Sequence, residues 1–155
     1  MSRHLRNRGQ GGFTLIELMA AVLIIGILLA IAIPTFLGAR TRAQDGVAKS
    51  SLRTALTAAN VIFTDSESYT GSTAAALATA EGSLTFAANP AQAATGGKSI
   101  SVLPAATQWS AAALSQSGSC FLIRTTASGA VTYGRVTGGA CNGARAQANA
   151  TQPRW

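Results

Sequence analysis

The stretch FTLIELMAAVLIIGILLAIAIPTFL, from Phe13 to Leu37, decides the architecture of this chain. It contains a single charged side chain, at Glu17. A helix of this length, rising about 1.5 Å per residue, would span about 37 Å, enough to cross a hydrocarbon core of about 30 Å. We therefore predict a membrane-spanning helix over residues 13–37. Arginines without acidic residues precede it, which predicts a cytoplasmic N-terminus.

Composition limits the possible functions. The 155 residues fit one domain, and 12 Lys+Arg against 5 Asp+Glu give a net charge of +7. Arg3, Arg6, Arg8 and the only histidine, His4, lie in the first eight residues. Without them nine basic and five acidic side chains remain, a net charge of +4, and no histidine. Such a chain has no Ser-His-Asp or Cys-His site and no histidine ligand, and two cysteines are too few for a thiolate zinc site. We therefore expect no enzyme, metal or other cofactor.

The polar segment at residues 1–12 does not resemble an ordinary secretory signal. Such a signal has an apolar region of about 7–15 residues followed by a cleavage site with small residues. Here the apolar run is longer, and the glycines precede it. A cut at these glycines would remove the basic segment and keep the membrane helix.

Glu17 is an anomaly, because a carboxylate in a membrane helix is costly unless it is paired or neutralised. One interpretation places it near the lipid headgroups, where an anion at a helix N-terminus is favourable. The other requires a cation at the same depth. Cleavage between Gly12 and Phe13 would create one, the α-amino group of Phe13. Pairing that amine with Glu17 of a neighbouring helix would neutralise both charges and fix the axial register of an assembly.

The sequence Gly12-Phe13-Thr14-Leu15-Ile16-Glu17, between a basic leader and an apolar helix, resembles the class III signal of type IV pilins and related pseudopilins. The resemblance implies that a prepilin peptidase cleaves after Gly12 on the cytoplasmic face and that Phe13 is then N-methylated. It also implies that Glu17, at the fifth mature position, assists assembly. The resemblance is strong over about residues 9–40 and looser beyond them.

Gly26 and Pro34 match the helix-weakening glycine and proline of the same family. Pro34 lacks an amide hydrogen and crowds the carbonyl four residues earlier, so it kinks or opens a helix. Gly26 costs about 1 kcal/mol relative to alanine. Two interpretations remain open: a gentle bend that neighbouring helices cover, and local melting between Gly26 and Pro34 in an assembled fibre.

Beyond Leu37 charged residues return, while apolar residues recur at spacings of three and four, as on one face of a helix. They are Ala48, Leu52, Ala55, Leu56, Ala59, Ile62 and Phe63. We therefore predict one helix from about Phe13 to Asp65, roughly 80 Å long, with an amphipathic second half. Turn-forming residues in Asp65–Gly71 end it, and a globular part must cover its amphipathic half.

The rest of the chain predicts a small sheet. A short helix is expected at Ala74–Ala80, within a partly ordered connection over residues 72–98. Strands are expected at Ser99–Leu103, Cys120–Thr126 and Ala130–Val136, the last two forming a hairpin. An antiparallel sheet packed on Leu52, Leu56 and Phe63 is the simplest way to bury these faces. The expected fold class is α+β, with a leader (1–12), a membrane helix (13–37) and a head domain (38–155).

The hairpin could bring Cys120 and Cys141 together. Outside the cytoplasm oxidation would favour a disulfide over two free buried thiols. Closing that loop would stabilise the fold by about 3 kcal/mol in the chain-entropy model. In the pilin family a C-terminal disulfide bounds a region often exposed on the fibre, and the resemblance implies that role for Cys120 and Cys141.

The charges of the C-terminal half favour some binding partners over others. No carboxylate follows Glu81, whereas five basic residues do, so residues 82–155 carry a net charge of +5. A calcium site usually includes carboxylates, and their lack disfavours a calcium-binding secretion pseudopilin. The basic surface could attract DNA. No clustered basic run supports a dedicated DNA site, so a DNA partner is only weakly supported.

These features together predict a type IV pilin precursor, a structural subunit and not an enzyme. It would first be a single-pass protein of the cytoplasmic membrane. After cleavage by prepilin peptidase it would enter a homo-oligomeric helical filament at the cell surface, with the inner-membrane pilus assembly machinery as a partner. The alternative is a pseudopilin of a type II secretion or competence system. A membrane-anchored binding module that keeps its leader and never polymerises is an alternative of another class.

Overall fold

A computed structural model of the chain describes residues 12–155. The predicted leader, residues 1–12, therefore lies outside the described residues except for Gly12. The chain divides into two compact units, with the division between Ala39 and Arg40. Each unit is described by itself below.

The described part of the first unit comprises residues 12–14, which have no regular secondary structure, and the first part of helix α1. Helix α1 spans Leu15–Ser66, so it begins two residues after the predicted start and ends one residue after the predicted end. All side chains from Phe13 to Leu37 are exposed, and the most apolar 18-residue window has a mean hydropathy of 2.9. By length and composition this helix can cross a membrane. An apolar surface this large requires lipid or other helices around it.

The second unit is built on a five-stranded sheet with the spatial order β1-β2-β3-β4-β5. Strands β1 and β2 are parallel, and every other neighbouring pair is antiparallel. The strands are β1 (Thr85–Phe86), β2 (Ser99–Pro104), β3 (Gln108–Leu114), β4 (Ser119–Thr126) and β5 (Val131–Thr137). The mostly antiparallel sheet and the long helix confirm the predicted α+β fold class.

Two short helices complete this unit. Helix α2 spans Ala74–Ala80, as predicted, and the hydroxyl of Thr73 caps it by accepting a hydrogen bond from the Ala76 amide at 3.3 Å. Helix α3 spans Gly143–Asn149, where the side chain of Asn142 accepts from the Arg145 amide at 2.9 Å. Both caps satisfy an amide that the first turn of a helix leaves without a backbone partner.

The sheet is buried on both faces. On one face it packs against helix α1, whose Ala48, Leu52, Ala55 and Ala59 are fully buried; the predicted contacts Leu56 and Phe63 lie at the margin of this cluster. On the other face, α3 and the segment that follows it form a second cluster with the sheet. The unit therefore has three layers, helix, sheet and short helix, and the sheet is its middle layer.

Strand β3 and helix α3 were not predicted from the sequence. β3 contains Ala111, Ala112 and Ala113, and alanine is depleted in strands. All three are fully buried: Ala111 and Ala113 face α1, and Ala112 faces α3. Small side chains fit a strand that is covered on both faces, and this tertiary setting overrides the intrinsic preference of alanine for helices.

Candidate functional site

The start of helix α1 is a capping box formed by Thr14 and Glu17. The amide and the hydroxyl of Thr14 donate to Oε2 of Glu17 at 3.0 and 2.7 Å. The amide of Glu17 donates back to the Thr14 hydroxyl at 3.3 Å. Reciprocal bonds of this kind satisfy two amides that a helix start otherwise leaves without partners. The signal, threonine followed three residues later by glutamate, was present in the sequence and was missed there.

The capping box leaves the Gly12–Phe13 peptide outside the helix. Gly12, Phe13 and Thr14 have no helical structure, and Phe13 is 89% exposed. A protease therefore does not have to unwind helix α1 to reach this bond. Within residues 12–155, Oε1 of Glu17 accepts no hydrogen bond, because both bonds from Thr14 go to Oε2. Among the described residues, nothing therefore occupies this second carboxylate oxygen.

Gly26 and Pro34 both lie inside helix α1 and are exposed. A Cβ added to Gly26 would meet no atom within 4 Å, so packing within the chain does not require glycine there. Just after Pro34, the hydroxyl of Thr35 donates to the carbonyl oxygen of Ile31 at 3.0 Å. The proline has no amide hydrogen, so helix α1 lacks one backbone hydrogen bond at this point. Bending and melting in a fibre both stay predictions.

Cys120 and Cys141 form a disulfide, as the sequence analysis anticipated, with their Cα atoms 5.6 Å apart. Cys120 lies in β4 opposite Val136 of β5, and both cysteines are 2% exposed. The bridge ties the hairpin to the segment that leads into α3. The Arg145 side chain also holds this segment, because it donates to the carbonyl oxygens of Thr137, Gly138 and Ala140.

Asp45 of helix α1 is hydrogen-bonded to side chains of the turn between β3 and β4. Oδ1 of Asp45 accepts hydrogen bonds from Ser115 at 2.7 Å and from Ser117 at 2.5 Å. Burial by itself would raise the pKa of Asp45. The two hydroxyl donors and the charges of Arg135 and Lys49 outweigh it, so the pKa is lowered from its ordinary value. Asp45 is therefore a structural anion that joins helix α1 to the β3–β4 turn.

Three aromatic residues, Trp109, Tyr133 and Trp155, belong to the core or cover it. Trp109 is fully buried between α1 and the sheet. The indole of Trp155 donates to the carbonyl oxygens of Leu122 and Gly134, both at 3.1 Å, and its ring lies 4.5 Å from that of Tyr133. Within residues 12–155 no group of three or more His, Cys, Asp or Glu side chains is placed to hold a metal ion.

Comparison with known sequences shows which proteins the start of the chain is similar to. The family described as prokaryotic N-terminal methylation motif matches residues 7–33. The chain is 48% identical over 64 residues to the type IV major pilin protein PilA of Myxococcus xanthus, a match that covers 41% of this chain and 28% of that protein. It is 44% identical over 68 residues to the type IV wide pilus major component PilA4 of Thermus thermophilus, with 44% and 52% covered.

A third relative has a different role. The chain is 35% identical over 65 residues to the type II secretion system core protein G of Pseudomonas aeruginosa, with 42% of this chain and 46% of that protein covered. The chain thus matches between about a quarter and a half of the length of these three relatives. No solved structure matches it. The resemblance to type IV pilins and pseudopilins that the sequence analysis found is confirmed, and the start of the chain carries the methylation motif.

Proposed function

We propose that this chain, which carries the prokaryotic N-terminal methylation motif, is the precursor of a type IV pilin. Prepilin peptidase cleaves it after Gly12, and Phe13 becomes the methylated N-terminus. The mature protein then polymerises, with its apolar helices in the fibre core and its heads outside. One observation carries the proposal: the Gly12–Phe13 bond lies exposed and outside the helix, directly before a capped apolar helix with Glu17 in its first turn.

The environment of Glu17 supports a role in assembly. The Thr14 donors occupy only Oε2. Since Oε1 has no donor within residues 12–155, it can accept a hydrogen bond from the α-amine that cleavage creates on a neighbouring subunit. That contact would pair two charges in an apolar surrounding, where an unpaired charge is costly. The same contact sets the axial position of one helix against the next. The membrane before cleavage and the inner-membrane assembly machinery afterwards are the remaining partners in this proposal.

Mass spectrometry and electron microscopy test the two steps. The protein extracted from membranes of the native host is expected to begin at Phe13 with one added methyl group. Glu17→Ala is expected to insert into the membrane and to form few or no filaments. Met19→Ala is the matched control, because it removes an exposed side chain of similar size from the same helix without removing a charge. An intact leader, or equal filament numbers in wild type and Glu17→Ala, would contradict the proposal.

A pseudopilin is the second candidate, and the match to the secretion core protein G favours it. Pseudopilins share the processing site and the apolar helix, so Phe13 and Glu17 do not separate the two candidates. Filament length does, because long surface filaments indicate a pilin and short periplasmic assemblies indicate a pseudopilin. The pilin is preferred because no carboxylate follows Glu81, which leaves the C-terminal region without the usual ligands for calcium.

A further inference from the structure

Three cations of the second unit surround two aromatic rings. The ammonium of Lys49 lies 4.9 Å from the centre of the Phe121 ring and 5.9 Å from that of Trp155. The guanidinium of Arg53 lies 5.0 Å from the Trp155 ring, and that of Arg135 lies 5.8 Å from the Phe121 ring. We call Lys49, Arg53, Arg135 and these two rings the cationic face. Cation–π contacts of this kind hold the charges in place and leave them able to attract an anion.

Inside the described chain no carboxylate forms a direct ion pair with the cationic face. Among residues 12–155 none of its three cations forms an ion pair within 4.0 Å. Asp45 contributes a charge interaction with Lys49 and Arg135, but its hydrogen bonds come from Ser115 and Ser117. Arg53 and Arg135 are exposed and Lys49 is half-buried. Arg135 also donates to the hydroxyl of Ser119. The face is therefore a positively charged surface that is open to an anionic partner from another molecule.

Two exposed carboxylates of the same unit lie at the far end of helix α1. Of the five acidic residues, Glu17 belongs to the membrane helix and Asp45 is bound by serines. Glu81, just after α2, accepts hydrogen bonds from Ser83 and lies beside Thr54 and Thr57 of α1. The other two form what we call the acidic end: Asp65 in the last turn of α1 and Glu67 just after it. Asp65 and Glu67 are exposed, and their carboxylates accept no hydrogen bond within residues 12–155.

The cationic face and the acidic end of one chain cannot neutralise each other. Arg53 and Asp65 lie on the same helix, twelve residues apart, and a rise of about 1.5 Å per residue separates them by about 18 Å. That distance is about twice the screening length of about 8 Å at physiological salt. Two oppositely charged surfaces that lie this far apart on one chain can pair only between two copies of the chain. A contact between two different surfaces of identical chains is heterologous, and repeating it produces an open helical polymer unless it closes into a ring.

We infer that the cationic face docks onto the acidic end of a second copy of this chain. The pairing would add a contact between heads to the contact between apolar helices. It rests on the proposed function, because it describes how the heads of the proposed filament fit together. Charge complementarity favours a second copy over a nucleic acid or a lipid surface, since this chain itself supplies both the cations and the unpaired anions.

Charge reversal with rescue tests this inference in cells that make the full chain. Arg53→Glu places an anion opposite the acidic end, and filament number is expected to fall at least about tenfold because like charges in an interface repel. Asp65→Arg is expected to cause the same loss. The double variant, Arg53→Glu with Asp65→Arg, exchanges the two charges and is expected to restore filaments. The rescue would also show that each single variant fails through the interface and not through misfolding.

The control is Lys98→Glu, which reverses an exposed cation beside Val47, Ser50 and Thr54 of helix α1, outside the cationic face. It is expected to leave filament number unchanged. Wild-type filament number in Arg53→Glu would overturn the inference, and so would a double variant no better than the single ones. If Arg53→Glu forms normal filaments but loses binding to double-stranded DNA, the face serves a nucleic acid and the inference is wrong. An absence of filaments in the wild type would instead contradict the proposed function.

Discussion

The hydroxyl of Thr14 donates a 2.7 Å hydrogen bond to Oε2 of Glu17 and accepts one from the Glu17 amide at 3.3 Å. The two side chains together form the N-terminal cap of helix α1, which begins at Leu15. Glu17 is thus already hydrogen-bonded within a single chain, before any neighbour is present. In the proposed filament the same carboxylate contacts a second chain, and the cap orients it for that contact.

Thr14→Val is expected to weaken the helix start, because valine keeps the shape of threonine and removes the hydroxyl. The loss of an N-cap costs about 1 kcal/mol, so the amides of the first turn should exchange with solvent about five times faster. Hydrogen exchange of the full chain in detergent micelles measures this. Thr14→Ser retains the hydroxyl and should exchange like the wild type. Equal exchange in the valine variant would mean that the capping box contributes nothing.

Replacing both Cys120 and Cys141 by alanine is expected to lower the free energy of unfolding of the head by about 3 kcal/mol, as loop entropy predicts for a sequence separation of 21 residues. Urea titration in micelles, followed by the fluorescence of Trp109 and Trp155, measures the change. Reduction of the wild type with a thiol reagent should produce a similar loss. The prediction is wrong if the reduced and oxidised proteins unfold at the same urea concentration.

Gly134→Ala tests how closely the C-terminal segment lies on the sheet. A Cβ at Gly134 would lie 2.5 Å from the carbonyl oxygen of Asn149 and 3.2 Å from Cα of Ala150. Backbone atoms on both sides have to move apart, which costs about 1–3 kcal/mol of unfolding free energy. Gly82→Ala is the matched control, since a Cβ there would meet no atom within 4 Å. The same urea titration compares the two variants, and equal stability would contradict the close approach.

The pKa of Asp45 links stability to pH. Its pKa in the folded chain is below the ordinary value of 3.8, because hydrogen bonds from Ser117 and Ser115 outweigh burial. The stabilisation is therefore fully present above about pH 4 and is lost as the pH falls through the folded pKa. Ser117→Ala should raise the pKa of Asp45 towards 3.8, whereas Ser128→Ala, at an exposed site, should leave it unchanged. NMR titration of the Asp45 carboxyl distinguishes these outcomes.

The predictable parts of the fold are those with a local signal. The apolar run, the amphipathic spacing from Ala48 to Phe63 and the hairpin each follow from periodicity, and the structure contains all three. Strand β3 has no such signal, because Ala111, Ala112 and Ala113 favour a helix by intrinsic preference. Its strand conformation comes from burial on both faces, which a single sequence does not reveal.

In the candidate site, too, only features with a local signal could be predicted. Gly12, Phe13 and Glu17 were identified as site residues from the sequence motif. The hydrogen-bond partner of Glu17 within the chain, Thr14, could have been predicted from the Thr14-x-x-Glu17 spacing. The cationic face was not predictable in this way. Lys49 and Arg53 are four residues apart on α1, but Arg135 and the rings of Phe121 and Trp155 reach them only through the sheet and the C-terminal segment.

The alanine-rich strand in the middle layer restricts how this head can change. Ala112 of β3 packs under α3, and Ala111 and Ala113 lie under α1, so a longer side chain at any of these three positions would push a layer outward. Growth or diversification of the head is therefore confined to its rim, in the turns between strands and the segments around α2. A tag, epitope or ligand-binding insertion intended for display on the assembled protein belongs at those outer turns.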